Sequence, residues 1–267
     1  MAASHYVMLC HMIGAWGTAL RGRTGRTGPS GWRVPPGWAS APVTYGLIAV
    51  CCLVFALGPA SGLNPVYGTG QHLFAARQEY FARWGIIPAD LLDGSARAAL
   101  TPLTALFVHA GWVHLLGNML FLYVFGALTE ERMGRVDYTL CYVGCGALAL
   151  VGYAVSRPDS TQTLVGASGA ISAVLGAFLY LFPKARVTSL LPFLFFLPLR
   201  FPAWATLPFW VLLQWAALRG SPAGPGVAYL AHLVGFGLGF CYAWVRFGRA
   251  TRVKNTPVTA SEGENQP

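Results

Sequence analysis

Five polar residues stand out in an otherwise apolar stretch of chain: His109, His114, Asn118, Ser168 and His232. Their types are those of an acyl-transfer site. A serine hydroxyl becomes a nucleophile only when a base takes its proton, and imidazole is the usual base. His232 is the candidate base and Ser168 the candidate nucleophile, provided their segments touch. The tetrahedral intermediate then needs hydrogen-bond donors for its oxyanion. The Asn118 amide, the His114 ring and the backbone N–H of Ser168 at the start of a helix can supply them. No Asp or Glu lies inside the apolar segments to orient the imidazole, so the arrangement reads as a Ser–His dyad.

The spacings say which of these groups can cooperate. His114 and Asn118 are four apart and share a helix face. His109 lies five residues before His114, about 140° around a regular helix, and joins that face only if the helix starts after it. There is no H-E-x-x-H and no intramembrane carboxylate to complete a metal set, so neither a metal nor a cofactor is expected. Ser168 sits between Gly166 and Gly169, and His232 precedes Gly235 and Gly239. Glycines of this kind let two membrane helices approach closely. Taken singly, each feature is also explained by packing: a small serine between glycines, a histidine at a helix crossing, an asparagine bonding between helices. Their conjunction at one depth favours chemistry.

That depth follows from the segments that carry them. Of 267 residues, 55% are hydrophobic and only 10% charged, with mean hydropathy +0.53. Soluble domains carry about 25% charged residues. The chain therefore reads as an all-α, polytopic membrane protein. Six spans are expected: Val43–Leu57, Thr104–Leu128, Tyr138–Val155, Ser168–Phe182, Pro202–Leu218 and Gly226–Phe247. The stretch Leu190–Phe201 holds two prolines in "LLPFLFFLPLRF" and is expected to be a broken or interfacial segment rather than a seventh span.

Thirteen of the 18 basic residues fall on one side of this arrangement, which places both termini in the cytoplasm by the positive-inside rule. The net charge of +9 is accounted for by this asymmetry, and no nucleic-acid partner is expected. Residues 1–42 read as a flexible cytoplasmic arm, 43–247 as the membrane domain and 248–267 as a disordered cytoplasmic tail. The expected setting is the plasma membrane of a bacterium. The cysteines form no disulfide framework; Cys141 and Cys145 share a helix face as packing residues. With the N-terminus inside, the second, fourth and sixth spans begin at the outer face. His114 with Asn118, Ser168 and His232 then lie in the outer half of three helices. A channel would place polar groups at several depths, but the inner halves of these spans are nearly all apolar.

The same residues resemble the motifs of the rhomboid intramembrane serine proteases. The family's G-x-S-G is similar to Gly166-Ala167-Ser168-Gly169, its H-x-x-x-N to His114…Asn118 with His109 upstream, and its A-H-x-x-G-x-x-x-G to Ala231-His232…Gly235…Gly239. Its E-x-R-x-G appears as Glu130…Arg132…Gly134, and the resemblance runs over about 43–246. It implies a six-helix bundle that cleaves transmembrane segments of single-pass membrane proteins. In it Ser168 would be the nucleophile and His232 the base, with His114 and Asn118 at the oxyanion hole. The alternative is an inactive rhomboid-like protein that binds membrane helices without cutting them. Two positions depart from the family pattern. Leu100 and Thr101 stand where many members have a Trp-Arg pair, and Ser172 stands where some have a tyrosine under the catalytic imidazole.

Overall fold

The computed structural model describes residues 40–191, 197–220 and 228–253. The expected N-terminal arm before residue 40 and the tail after residue 253 lie outside these. Helix α1 is Pro42–Leu57 and α2 is Gly70–Trp84. A short mixed helix, α3, covers Ala98–Phe107. Helices α4 (Trp112–Met133) and α5 (Arg135–Val155) follow, then α6 (Ser168–Leu181). Strands β1 (Arg186–Leu191) and β2 (Leu197–Pro202) precede α7 (Ala203–Gly220) and α8 (Tyr229–Val253).

Helices α4, α5 and the Tyr229–Gly248 part of α8 are long and apolar enough to cross a membrane. The outward faces of the bundle carry large apolar side chains, among them Leu53, Leu116, Leu148, Trp204, Leu212 and Trp244. Such a girdle suits lipid and would be an aggregation hazard in water.

Helix α6 is the axis of the structure. Every residue from Gly169 to Phe178 is buried, as expected of a helix apolar on all sides. It runs in the same direction as α8 and touches it through glycines. A methyl group on Gly235 would strike the Gly169 carbonyl, one on Gly239 the Ala173 backbone, and one on Gly176 the Phe236 carbonyl. Close approach of these backbones is what the three glycines supply. On the other side, a methyl on Gly146 of α5 would collide with Ala170.

The E-x-R-x-G residues have a structural explanation. Glu130 is buried, and its carboxylate accepts the backbone N–H groups of Val43 at 3.0 Å and Thr44 at 2.7 Å. These are N–H groups of the first turn of α1, which have no intrahelical acceptor. A negative charge there also opposes the helix dipole. Gly134 ends α4 at φ 83°, a conformation that favours glycine, and its N–H bonds to the Glu130 carbonyl at 2.8 Å.

Three expectations need correction. The segment expected as one span from Thr104 is interrupted: Val108 is extended (φ −90°, ψ 136°), and α4 begins only at Trp112. The chain is not purely helical, because β1 and β2 pair antiparallel with Arg186 opposite Pro202 and Val187 opposite Phe201. Pairing of the two described strands satisfies backbone groups that a broken helix would leave open; Pro192 lies outside the described residues. Helix α8 continues to Val253, past the expected boundary at 247. The connection after α1 holds a 15-residue helix, α2, whose Arg77 Nε donates to the Pro59 carbonyl at 3.0 Å. Both α4 and α5 contain a π-helical turn, at Leu122–Gly126 and Leu140–Cys145.

Candidate active site

Ser168 is the first residue of α6, and His232 lies in the first turn of α8. The glycine contacts between these helices set their distance. Gly235 meets Gly169 one turn beyond His232 and one residue beyond Ser168, so the crossing brings the two side chains together. Ser168 Oγ and His232 Nε2 are 2.8 Å apart. His232 is only 6% exposed, while Ser168 is half-buried.

The other ring nitrogen of His232 also has a partner. Nδ1 lies 2.8 Å from Oε1 of Gln214, a buried residue of α7. Trp210, one turn earlier on α7, stacks on the imidazole with centroids 6.1 Å apart and planes at 29°. Tyr229 approaches it edge-on at 6.4 Å. The ring is thus supported from α7, where some family members would use a tyrosine at position 172. Ser172 instead turns back onto its own helix, donating to the Ser168 carbonyl at 2.7 Å.

Gln214 and Trp210 are not among the residues expected from the sequence, because they lie on α7, outside the alternate spans that carry the other polar groups. A signal was present: Gln214 is the one amide in the apolar run "PFWVLLQWAAL". A hydrogen-bonding side chain in such a run needs a partner.

On the far side of the serine, Gly166 takes φ 131° and its N–H bonds to the Ala105 carbonyl at 2.9 Å. A side chain here would meet the His114 ring at 2.7 Å and would lie 3.9 Å from Asn118 Nδ2. Glycine is therefore required twice over, by backbone angle and by space. His114 and Asn118 converge on the backbone leading into Ser168. The Ala110 N–H points at His114 Nδ1 at 3.4 Å, which leaves Nε2 to carry the ring proton on the side facing Gly166. The Asn118 side-chain N–H group is buried and has no hydrogen-bond partner among the described residues. Ala167 provides no side-chain cap to α6, so the first N–H groups of that helix also remain available.

His109 is buried in the break between α3 and α4. Its ring packs edge-on against His114 with centroids 5.2 Å apart, and Nδ1 lies 3.3 Å from the Phe107 carbonyl. Because α4 starts after it, His109 can reach the neighbourhood of His114 despite the five-residue spacing. At the two positions that depart from the family pattern, Leu100 is exposed and Thr101 Oγ1 bonds to the Ala98 carbonyl at 2.7 Å.

Comparison with known proteins finds relatives in several lineages. YdcA of Bacillus subtilis is 34% identical over 79 residues, covering 30% of this chain and 39% of that protein. Rhomboid protein 1, mitochondrial, of Saccharomyces cerevisiae is 32% identical over 142 residues, covering 52% of this chain and 39% of that protein. Rhomboid-like protein 11, chloroplastic, of Arabidopsis thaliana is 45% identical over 69 residues, 26% of this chain and 24% of that protein. The chain thus spans about two fifths of the length of the first two. These names divide among a bacterium, a mitochondrion and a chloroplast, and do not support a bacterial plasma membrane in particular. A family model described as the Rhomboid domain matches residues 97–249, the stretch that holds all three motif segments and the helices that bring them together. The chain is an integral membrane protein and belongs to the rhomboid family.

Proposed function

We propose that this chain is an intramembrane serine endopeptidase that cleaves transmembrane segments of single-pass membrane proteins. The observation that carries the reading is the 2.8 Å contact between Ser168 Oγ and His232 Nε2, made by residues 64 positions apart on two helices. Ser168 attacks the scissile carbonyl carbon as His232 Nε2 takes its proton. The proton then passes to the leaving amine, and water releases the acyl group by the reverse sequence. The Ser168 N–H, the Asn118 amide and His114 Nε2–H face the developing oxyanion. Neutral donors suit a site inside a bilayer, where a fixed charge is costly.

In this reading α1, α4, α5, α6, α7 and α8 form six spans, with residues 43–247 as the catalytic membrane domain and both flanking segments in the cytoplasm. The basic residues of Arg132, Arg135, Lys184, Arg186 and Arg246 then share the cytoplasmic side. Helix α6 has 14 residues, about 21 Å at 1.5 Å per residue. It is too short for a hydrocarbon core of about 30 Å. Its start therefore lies below the outer surface, and the serine is reached by substrate from the membrane and by water from outside.

The test is reaction of the membrane-embedded chain with a fluorophosphonate probe. An adduct on Ser168, lost in Ser168→Ala and in His232→Ala, is the expected result, together with loss of cleavage of a single-pass substrate in both variants. Cleavage by folded Ser168→Ala at the normal rate overturns the reading. Substrate binding without any adduct on the wild-type chain would make it a helix-binding relative instead.

A further inference from the structure

The dyad leaves one problem unsolved. A histidine ring turns broadly about its outer side-chain bond, with two roughly equivalent orientations. It also has two neutral tautomers. Only one combination presents a lone pair on Nε2 to the Ser168 hydroxyl. In the familiar Ser-His-Asp arrangement a buried carboxylate makes that choice. Here the residues that face His232 are Ser168 from α6, Gln214 and Trp210 from α7, Tyr229 from its own helix, and His114 as the titratable neighbour across the site. No carboxylate is among these described residues.

We infer that Gln214 is the positioning residue of this site, a neutral third member that holds His232 in the tautomer with its proton on Nδ1. The inference rests on the protease reading above. Gln214 Oε1 lies 2.8 Å from Nδ1, as Ser168 Oγ does from Nε2. An amide oxygen can only accept, so the proton resides on Nδ1 and Nε2 is free to take the serine proton. If Nδ1 were instead bare, Nε2 would carry the proton and the serine would have no base. The amide also breaks the two-fold ambiguity of the ring, because the opposite orientation would set a C–H against Oε1. Trp210, stacked on the same ring, restrains its tilt. Both residues sit on one face of α7, four apart.

A neutral group at this depth has a physical rationale. Gln214 and His232 are both buried, and an ionised carboxylate there would lose its hydration. The amide supplies the acceptor without the charge. As His232 takes the serine proton, the Nδ1–H bond to Oε1 becomes charge-assisted and shortens. The proton stays on Nδ1 throughout, and Gln214 exchanges none.

The experiment uses the full chain in bilayers and measures the rate of fluorophosphonate labelling of Ser168 across pH, with thermal stability measured alongside. Two variants are compared, Gln214→Leu and Gln214→Glu. Imposing the wrong tautomer costs a Ser-His-Asp enzyme about 10⁴-fold. Gln214→Leu removes a preference without imposing the wrong form, so its labelling should fall clearly but by less than that 10⁴-fold. Gln214→Glu keeps shape and acceptor, so it should restore labelling at alkaline pH. Its carboxylate favours the imidazolium, and an opposite charge this close moves the acidic limb to higher pH by about 1–3 units. Wild-type labelling rates in Gln214→Leu, or an acidic limb in Gln214→Glu that coincides with that of the wild type, overturns the inference. If Gln214→Leu fails to fold, the position of that limb still decides. A wild-type chain that never labels refutes the protease reading itself, which separates the two failures.

Discussion

Replacing Gly235 by alanine tests the idea that glycine contacts set the distance between Ser168 and His232, the proposed dyad. The new methyl would sit 3.1 Å from the Gly169 carbonyl carbon and 3.4 Å from Ser172 Cβ, and would overlap the Gly169 carbonyl oxygen. The obstacle is backbone, which cannot swing aside as a side chain can. Relief requires α6 and α8 to separate by about 1 Å, the shift that returns such a contact to van der Waals range. Gly169 adjoins Ser168 and Gly235 lies one turn beyond His232, so the separation is delivered almost undiminished to the dyad. Added to the present 2.8 Å, it carries the Oγ–Nε2 pair outside hydrogen-bonding range. Overpacking of this kind costs about 1–3 kcal/mol of stability, and a 1 Å misplacement costs about 10²-fold in rate. The matched control is Gly237→Ala on the same helix, where a methyl would meet nothing within 4 Å. Alanine there should be neutral or slightly stabilising, since glycine is the poorer helix former by about 1 kcal/mol. Both variants are to be assayed for thermal stability in detergent and for fluorophosphonate labelling of Ser168. Equal labelling by Gly235→Ala and Gly237→Ala would refute the claim that close backbone approach positions the dyad.

Other perturbations address the remaining parts of the site. Asn118→Ala should lower turnover about 10²–10³-fold, the usual cost of one oxyanion donor, with little change in substrate binding; full turnover would reduce Asn118 to a packing residue. Glu130→Ala should lower stability by about 2–4 kcal/mol, because one buried and one part-buried backbone N–H group lose their acceptor; an unchanged melting temperature would contradict the capping role. On the proposed protease reading, a peptide bond in a regular helix is shielded by its own hydrogen bonds, so a substrate segment must unwind before Ser168 could attack it. Replacing helix-breaking residues near the outer end of a cleaved span by leucine should sharply reduce cleavage. Equal cleavage of the all-leucine span, or a cut at its cytoplasmic end, would refute this mechanism.

The sequence alone determined the features that depend on local composition and spacing. Hydropathy marked the apolar helices because burial in lipid demands long runs without charge. His114 and Asn118 were legible as one face because helical spacing is a local rule, and α4 obeys it. Ser168 and Gly169 are legible as small residues that open a helix, and α6 starts at Ser168 with Gly166 just before it. What could not be read locally is where helices distant in the chain meet. The 2.8 Å approach of Ser168 to His232 depends on glycine contacts between α6 and α8 that no pairwise spacing encodes. The pairing of β1 with β2 and the break before Trp112 are tertiary outcomes too, since they follow from which backbone groups find partners elsewhere. Glu130 was a motif letter until α1 placed its open N–H groups against the carboxylate, 87 residues away in the chain. Gln214 shows the division most clearly. Its chemistry was visible in the sequence as an amide in an apolar helix. That it bonds to His232 Nδ1 was decided only when α7 packed against α8, because a buried donor must take whichever acceptor the fold brings within reach.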